Sequence, residues 1–224
     1  MKKKNKQLWI AVLIISIIVC AVGVVYTTIY FYQSYENEKN LDQLASSVVA
    51  TYDVNQADTK EVTVPTNVVK PKKDNPIDFD ELAKINSDLY AWIKVPNTQV
   101  DYPIAHTSED DENYYLDRDI YKQYLFAGTI YSQPLNKTDF SDPVTVLYGH
   151  NMLNGTMFGD LHKFEDEEFF NKNKYFYVYT KGHILTYEVF AASDFHNKHL
   201  LRNYDFSDKK VFNDYVNEVL NEDN

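Results

Sequence analysis

The sequence predicts a mainly β domain, a barrel or sandwich decorated by helices, carried behind an N-terminal transmembrane helix. Several short segments rich in β-branched and aromatic residues, separated by turn signals, predict the strands. A few helical patterns interspersed among them predict the decoration. One uncharged run of 25 residues, Leu8 to Tyr32, predicts the membrane span. The 224 residues have room for one ordinary domain plus an accessory segment. A hydrophobic fraction of 44%, with 19 Tyr and 13 Phe, suffices for a packed core, and six Gly and seven Pro are too few for a fibrous chain.

Residues 1–7 read as a basic cytoplasmic tail, because Lys2, Lys3, Lys4 and Lys6 precede the apolar run and no acid does. Residues 8–32 read as the span, interrupted mildly by Ser16, Cys20, Thr27 and Thr28, with Trp9, Tyr26, Tyr30 and Tyr32 as interfacial anchors. A cleaved signal peptide would have a shorter apolar stretch and a small-residue cleavage site, so an uncleaved signal-anchor with the rest exported is expected. Cys20 is the only cysteine and lies within this span. Lipid raises a thiol's pKa and denies it aqueous substrate, so Cys20 is not read as a nucleophile, and the exported part has no disulfide. Residues 33–76 read as a juxtamembrane stalk. Leu41, Leu44 and Val48 recur at helical spacing, and a proline-bearing, charged stretch down to KPKKDNP reads as extended.

The globular part is expected over 77–224. Asp78 N-caps a helix whose apolar face is Phe79, Leu82, Ile85 and Leu89. YAWIKVP and TQVDYPI read as short strands around a Pro-Asn turn, and ENYYLDRDI fits neither period. AGTIYSQ and DPVTVLYGH read as strands, GTMFGDLHKF as a helix on Met157, Leu161 and Phe164, and EEFFNKN as its continuation or restart. KYFYVYT and HILTYEVFAAS flank Lys181-Gly182 and form a hairpin. Finally Ser207 caps DKKVFNDYVNEVL, with Val211, Tyr215, Val216 and Val219 on one face.

Charge excludes one class of function. With four of the 22 basic residues ahead of the span, the remaining chain carries 18 basic and 33 acidic residues, a net −15. Such a body repels phosphates, so no nucleic-acid partner is expected. The acidic run SEDDENYY from Ser108 lacks the glycine and terminal glutamate of a calcium loop. No glycine loop that would cradle phosphate is present, a single cysteine makes no paired-cysteine metal site, and no cofactor is expected.

The most informative stretch is VTVLYGHNMLNGTMFGDLHKF, Val144 to Phe164, in which an apolar strand ends on His150 before a Gly-containing turn. A histidine at a strand end is both rigid and reachable, and imidazole titrates near neutrality. Tyr148, two residues earlier on the same strand face, is a candidate cleft wall, although a strand tyrosine is more often simply packed. His106, His162, His183, His196 and His199 read as solvated or packed. Two other functional classes stay open from the residues alone. One is a zinc-dependent hydrolase using His150, His162 and Asp160, whose spacing is not HExxH. The other is a non-enzymatic, membrane-tethered module that binds peptides of the envelope.

LAKINSDLYAWIKVPNTQVDYPI, NYYLDRDIYKQYLFAGTIYSQ, YGHNMLNGTMFGDLHKF and YFYVYTKGHILTYEVFAA, in this order and spacing, resemble blocks of the class B sortases. Those are membrane-anchored cysteine transpeptidases of Gram-positive bacteria. The resemblance implies a sortase-like β-barrel and His150 as the catalytic histidine. Its implied partners are a sorting-signal peptide of an exported protein and an amine of a peptidoglycan precursor or pilin; no metal is implied. The family carries its cysteine in a block like TLSTC on a late strand and its arginine on the next. Neither block is in the sequence, and Arg118 and Arg202, its only arginines, do not match. The expectation is a chain truncated before its last strands, inactive as it stands, with an unpaired barrel edge that favours aggregation.

Overall fold

The computed structural model describes residues 2–49, 75–193 and 199–221, with burial assigned from Leu8 onward. The extended part of the expected stalk, the lysine side chains of the basic tail, and His196 lie outside the described residues. The chain divides into two compact units, Met1–Asp42 and Gln43–Asn224.

The first unit is helical. It belongs to α1, which runs from Lys2 to Val48. Its most apolar 18-residue window has a mean hydropathy of 3.1 and none of it is buried. Leu13, Ile17, Val24 and Phe31 are among many large apolar side chains it leaves exposed. By length and composition this helix could cross a membrane.

The second unit is built on a five-stranded mixed sheet, β1 (Leu89–Lys94), β2 (Asp101–His106), β3 (Ile130–Ser132), β4 (Tyr175–Thr180) and β5 (His183–Glu188). The order is β3-β2-β1-β4-β5, and among the described residues the sheet is open rather than closed into a barrel. All neighbours are antiparallel except β2 and β3. Strand β1 is central, and Leu89, Ala91, Trp92 and Ile93 are all buried, as a strand covered on both faces must be. Lys181 and Gly182 join β4 to β5, and Gly182 takes the positive φ of +82° that such a two-residue turn demands. Helix α2 (Phe79–Ile85) is capped by Asp78, whose carboxylate accepts from the amides of Asp80 and Glu81. It drives Leu82, with no exposed surface, into a cluster with Leu44, Val48, Trp92 and Tyr115. Burying a leucine contributes about 2 kcal/mol.

Three expectations are corrected. DPVTVLYGH forms no strand. Asn136 engages its backbone instead, donating to Val144 O at 2.7 Å and accepting from Val146 N at 2.9 Å. A side chain that takes both bonds leaves no ladder to form, and only Tyr148 pairs with the sheet. GTMFGDLHKF is helical only over Gly159–Glu165, as a 3-10 turn, because Met157 has a φ of +53° that no helix accepts. A separate α3 follows at Glu167–Lys172, capped by Asp166. The cap of α5 (Lys209–Asn221) is Asp208, which accepts from Lys210 N at 2.7 Å, whereas the Ser207 hydroxyl turns back to Asp205. Between β5 and α5 lies the short α4, Leu200–Asn203.

Two substitutions test these elements. Asp208→Ala should cost about 1 kcal/mol in urea unfolding and Ser207→Ala clearly less, because only the aspartate satisfies an orphan helix amide. Gly128 has a φ of +62°, and a Cβ there would lie 2.3 Å from Leu116 O. Gly128→Ala should therefore cost at least about 2 kcal/mol in the same measurement.

Candidate active site

Tyr131 and Tyr148 exchange two backbone hydrogen bonds, 3.0 Å and 2.7 Å, and their rings stack at 5.4 Å. This pair fastens the segment that carries His150 to β3, whose Ile130 and Tyr131 are buried. The next residue is Gly149, where a Cβ would meet Ile130 Cδ1 at 2.3 Å. A larger residue there would have to push the Ile130 and Phe158 side chains aside. Beyond it, the His150 carbonyl accepts from Phe158 N at 2.9 Å, and Met152 and Met157 are buried as plugs of the loop. The histidine is thus held from both sides by backbone rather than by long side chains.

The imidazole of His150 is half-buried against Phe126, ring centroids 5.1 Å apart, and its Nδ1 is buried with no hydrogen-bond partner. Burial lowers its pKa from the ordinary 6.5, while the Ala127 backbone and the negative charge of Asp117 work in the opposite direction. Phe126, Ala127 and Asp117 come from a loop more than 20 residues upstream, and nothing in its irregular pattern marked it as part of the site.

A groove of about 1130 Å³ is lined by Ile93, Leu147, Phe158, Phe164, Phe176 and Val189 among others. Leu147 and Asn151 face into it, but Tyr148 and His150 do not. Tyr148 instead stacks on Tyr131, and His150 packs on Phe126. Tyr148 is half-buried, with its pKa raised by burial, and its ring lies 6.4 Å from that of His199. His199 Nε2 is 2.7 Å from Gln133 Oε1, and Arg202 reaches across with two bonds to the Glu112 carboxylate, 2.6 and 2.7 Å. His199, read from sequence as solvated or packed, is half-buried and lies near Tyr148.

His106 ends β2 with Nδ1 2.9 Å from Ser132 Oγ, and His183 opens β5 opposite Thr180. The zinc reading needs His150, His162 and Asp160 together. Asp160 is instead bonded to Lys163 at 2.7 Å and to Gln99 N at 2.9 Å, and His162 pairs with Glu165 and Asn151. Among the described residues no three His, Cys, Asp or Glu side chains group closely enough to hold a metal ion.

The depressed histidines set a pH dependence. Burial lowers the pKa of both His150 and His106 below 6.5, so the unfolded chain binds protons that the folded chain refuses. Stability should be fully present above pH 6.5 and be lost as pH falls below it toward the folded values. Thermal unfolding between pH 7.5 and about 5 checks this, and His150→Gln should flatten the slope.

Known proteins resemble this chain in sequence and in fold. The Sortase domain family model matches residues 93–220. Sortase B of Listeria monocytogenes is 32% identical over 187 residues, 83% of this chain and 70% of that protein. The structure of sortase B from Bacillus anthracis aligns with a TM-score of 0.64 and 26% identity, covering 85% of this chain and 81% of the other. A Staphylococcus aureus sortase B–substrate complex aligns with a TM-score of 0.58 and 27% identity, covering 63% and 65%. By family match, by identity to a relative and by fold, the chain belongs to the class B sortases, a family of cysteine transpeptidases.

Proposed function

We propose that residues 77–224 belong to the catalytic domain of an enzyme that cleaves sorting signals of exported proteins and joins them to an amine. In this reading residues 1–7 stay in the cytoplasm, 8–32 anchor the protein in the cell membrane, and 33–76 hold the domain outside. The apolar, unburied α1 behind a lysine-rich tail supports that topology.

The observation that carries the reading is His150, fixed by the Tyr131–Tyr148 exchange and set in a low-dielectric niche against Phe126. A thiolate attacks a backbone carbonyl of the sorting signal, forming a thioester and expelling an amine. His150 gives that amine its proton, then takes one from the incoming amine of a peptidoglycan precursor or pilin as it displaces the thiolate. The niche favours neutral imidazole, the form that accepts the second proton, and a thiolate beside it would favour imidazolium, the form that donates the first. Tyr148, two residues before His150, is assigned to the wall of the peptide cleft.

These 224 residues by themselves are assigned no acyl transfer. Cys20 is the only thiol and lies in the exposed apolar helix. A chain without an aqueous thiolate forms no thioester, and a lone histidine supplies little. The full chain in detergent, given a fluorogenic sorting-signal peptide, should show no cleavage above the no-enzyme rate, and Cys20→Ala should change nothing. Thiol-dependent turnover would overturn the assignment. Peptide binding without turnover would instead mark a binding module.

A further inference from the structure

We propose that Asp160 and Tyr102 are positioning residues for His150, two posts that tie the loop behind the histidine to the β1–β2 hairpin. The proposal rests on His150 being the acid–base group. Phe158 is the link. Its amide donates to the His150 carbonyl at 2.9 Å. Its ring covers Gly149, where an added Cβ would lie 3.0 Å from Phe158 Cδ2. Whatever fixes Phe158 therefore fixes the backbone that carries the imidazole.

The posts flank Phe158 in the chain. Met157, just before it, donates its amide to Tyr102 Oη at 3.2 Å. Met157 is 1% exposed at a φ of +53°, a strained conformation that persists only where the surroundings hold it. Asp160, two residues after Phe158, accepts from Gln99 N through Oδ2 at 2.9 Å. Lys163 Nζ reaches the same oxygen at 2.7 Å and Asn97 O at 3.4 Å. Gln99 Nε2 also donates to Asn154 O at 3.2 Å, and Asp160 N donates back to Gly155 O at 3.0 Å. The Asp160 side chain is only 11% exposed. Burial works to raise its pKa, but the Lys163 ammonium and the Gln99 amide outweigh it and hold the carboxyl below the ordinary 3.8.

The hairpin tip is itself closed. Val95 N donates to Val100 O at 2.8 Å, while Thr98 Oγ1 accepts from Val100 N at 3.0 Å and donates to Val95 O at 2.8 Å. Val95 and Val100 are buried, and the β1–β2 ladder runs behind them. Tyr131 holds the histidine segment from β3, and the two posts hold it from this hairpin. Held from both, the imidazole keeps one pose against Phe126, ring centroids 5.1 Å apart. An acid–base group depends on such fixing, because proton transfer needs its partners within hydrogen-bond reach.

The test reads the His150 imidazole resonance of the full chain in detergent micelles, identified by its loss in His150→Gln. Packing on Phe126 displaces that resonance by ring current, and Phe126→Leu gives its position without the contact. Asp160→Ala and Tyr102→Phe should each shift it toward the Phe126→Leu position. Asp160→Asn keeps an oxygen for the Gln99 amide and should leave it in place. A residue that merely stabilised the fold would lower the thermal midpoint and leave the folded-state resonance unmoved. An unmoved resonance in folded Asp160→Ala or in Tyr102→Phe refutes the proposal. So does an Asp160→Asn resonance displaced as far as that of Asp160→Ala, which would mark an effect of charge. Should Asp160→Ala not fold, Tyr102→Phe decides alone. The resonance needs no turnover, so any of these refutations leaves the His150 assignment standing. Conversely, peptide turnover that survives His150→Gln would remove that assignment and leave the two posts intact.

Discussion

Two backbone hydrogen bonds between Tyr131 and Tyr148 decide where the histidine segment lies. Without a ladder along Val144–Leu147, nothing else of regular secondary structure ties this segment to the sheet. Everything that defines the site follows from the pair. It brings Gly149 against Ile130, while Leu147 and Asn151 line the apolar groove. Tyr131 can serve as the anchor because β3 is buried and paired with β2, which is paired in turn with the central β1. The rigidity of a fully covered central strand is passed outward, one strand at a time, to the edge that carries His150.

Around that edge the polar groups are arranged so that burial is tolerated. Ser132, with no exposed surface, bonds His106 and Tyr90, whose pKa burial pushes up to about 12. Gln133 bonds Asn113 and His199, and Asn136 is consumed by the backbone of the histidine segment. Satisfied networks of this kind cost little and specify one arrangement. Against them, the buried Nδ1 atoms of His150 and His199 have no hydrogen-bond partner. A buried donor or acceptor left without a partner carries a free-energy penalty. Reactive groups are where such penalties are found.

Much of the fold was legible in the chain. Asp78, the β1–β2 pair, the Lys181-Gly182 hairpin and the apolar span each carry a local signal strong enough to act alone: a cap, alternation, a two-residue turn, and length without charge. The failures share a cause. DPVTVLYGH has strand composition, but whether it joins a ladder depends on what its backbone meets, and Asn136 meets it first. The helix expected from Gly155 fails at Met157, where a buried side chain holds a positive φ that periodicity does not report. Ser207 lost its cap to the neighbouring Asp208 by one residue, within the ordinary uncertainty of helix ends.

For the site the division is sharper. By itself the sequence determined that a histidine ends an apolar stretch within a recognisable block, that the only cysteine lies in an apolar span, and that the body is acidic. These are properties of composition and order, and they need no folding to be read. Only the tertiary structure decided which groups surround the imidazole. Phe126 packs on His150 because the loop from Asp117 to Gly128 doubles back. A proton's affinity depends on distance and dielectric. Both are set by contacts between segments far apart in the chain, where no local pattern records them.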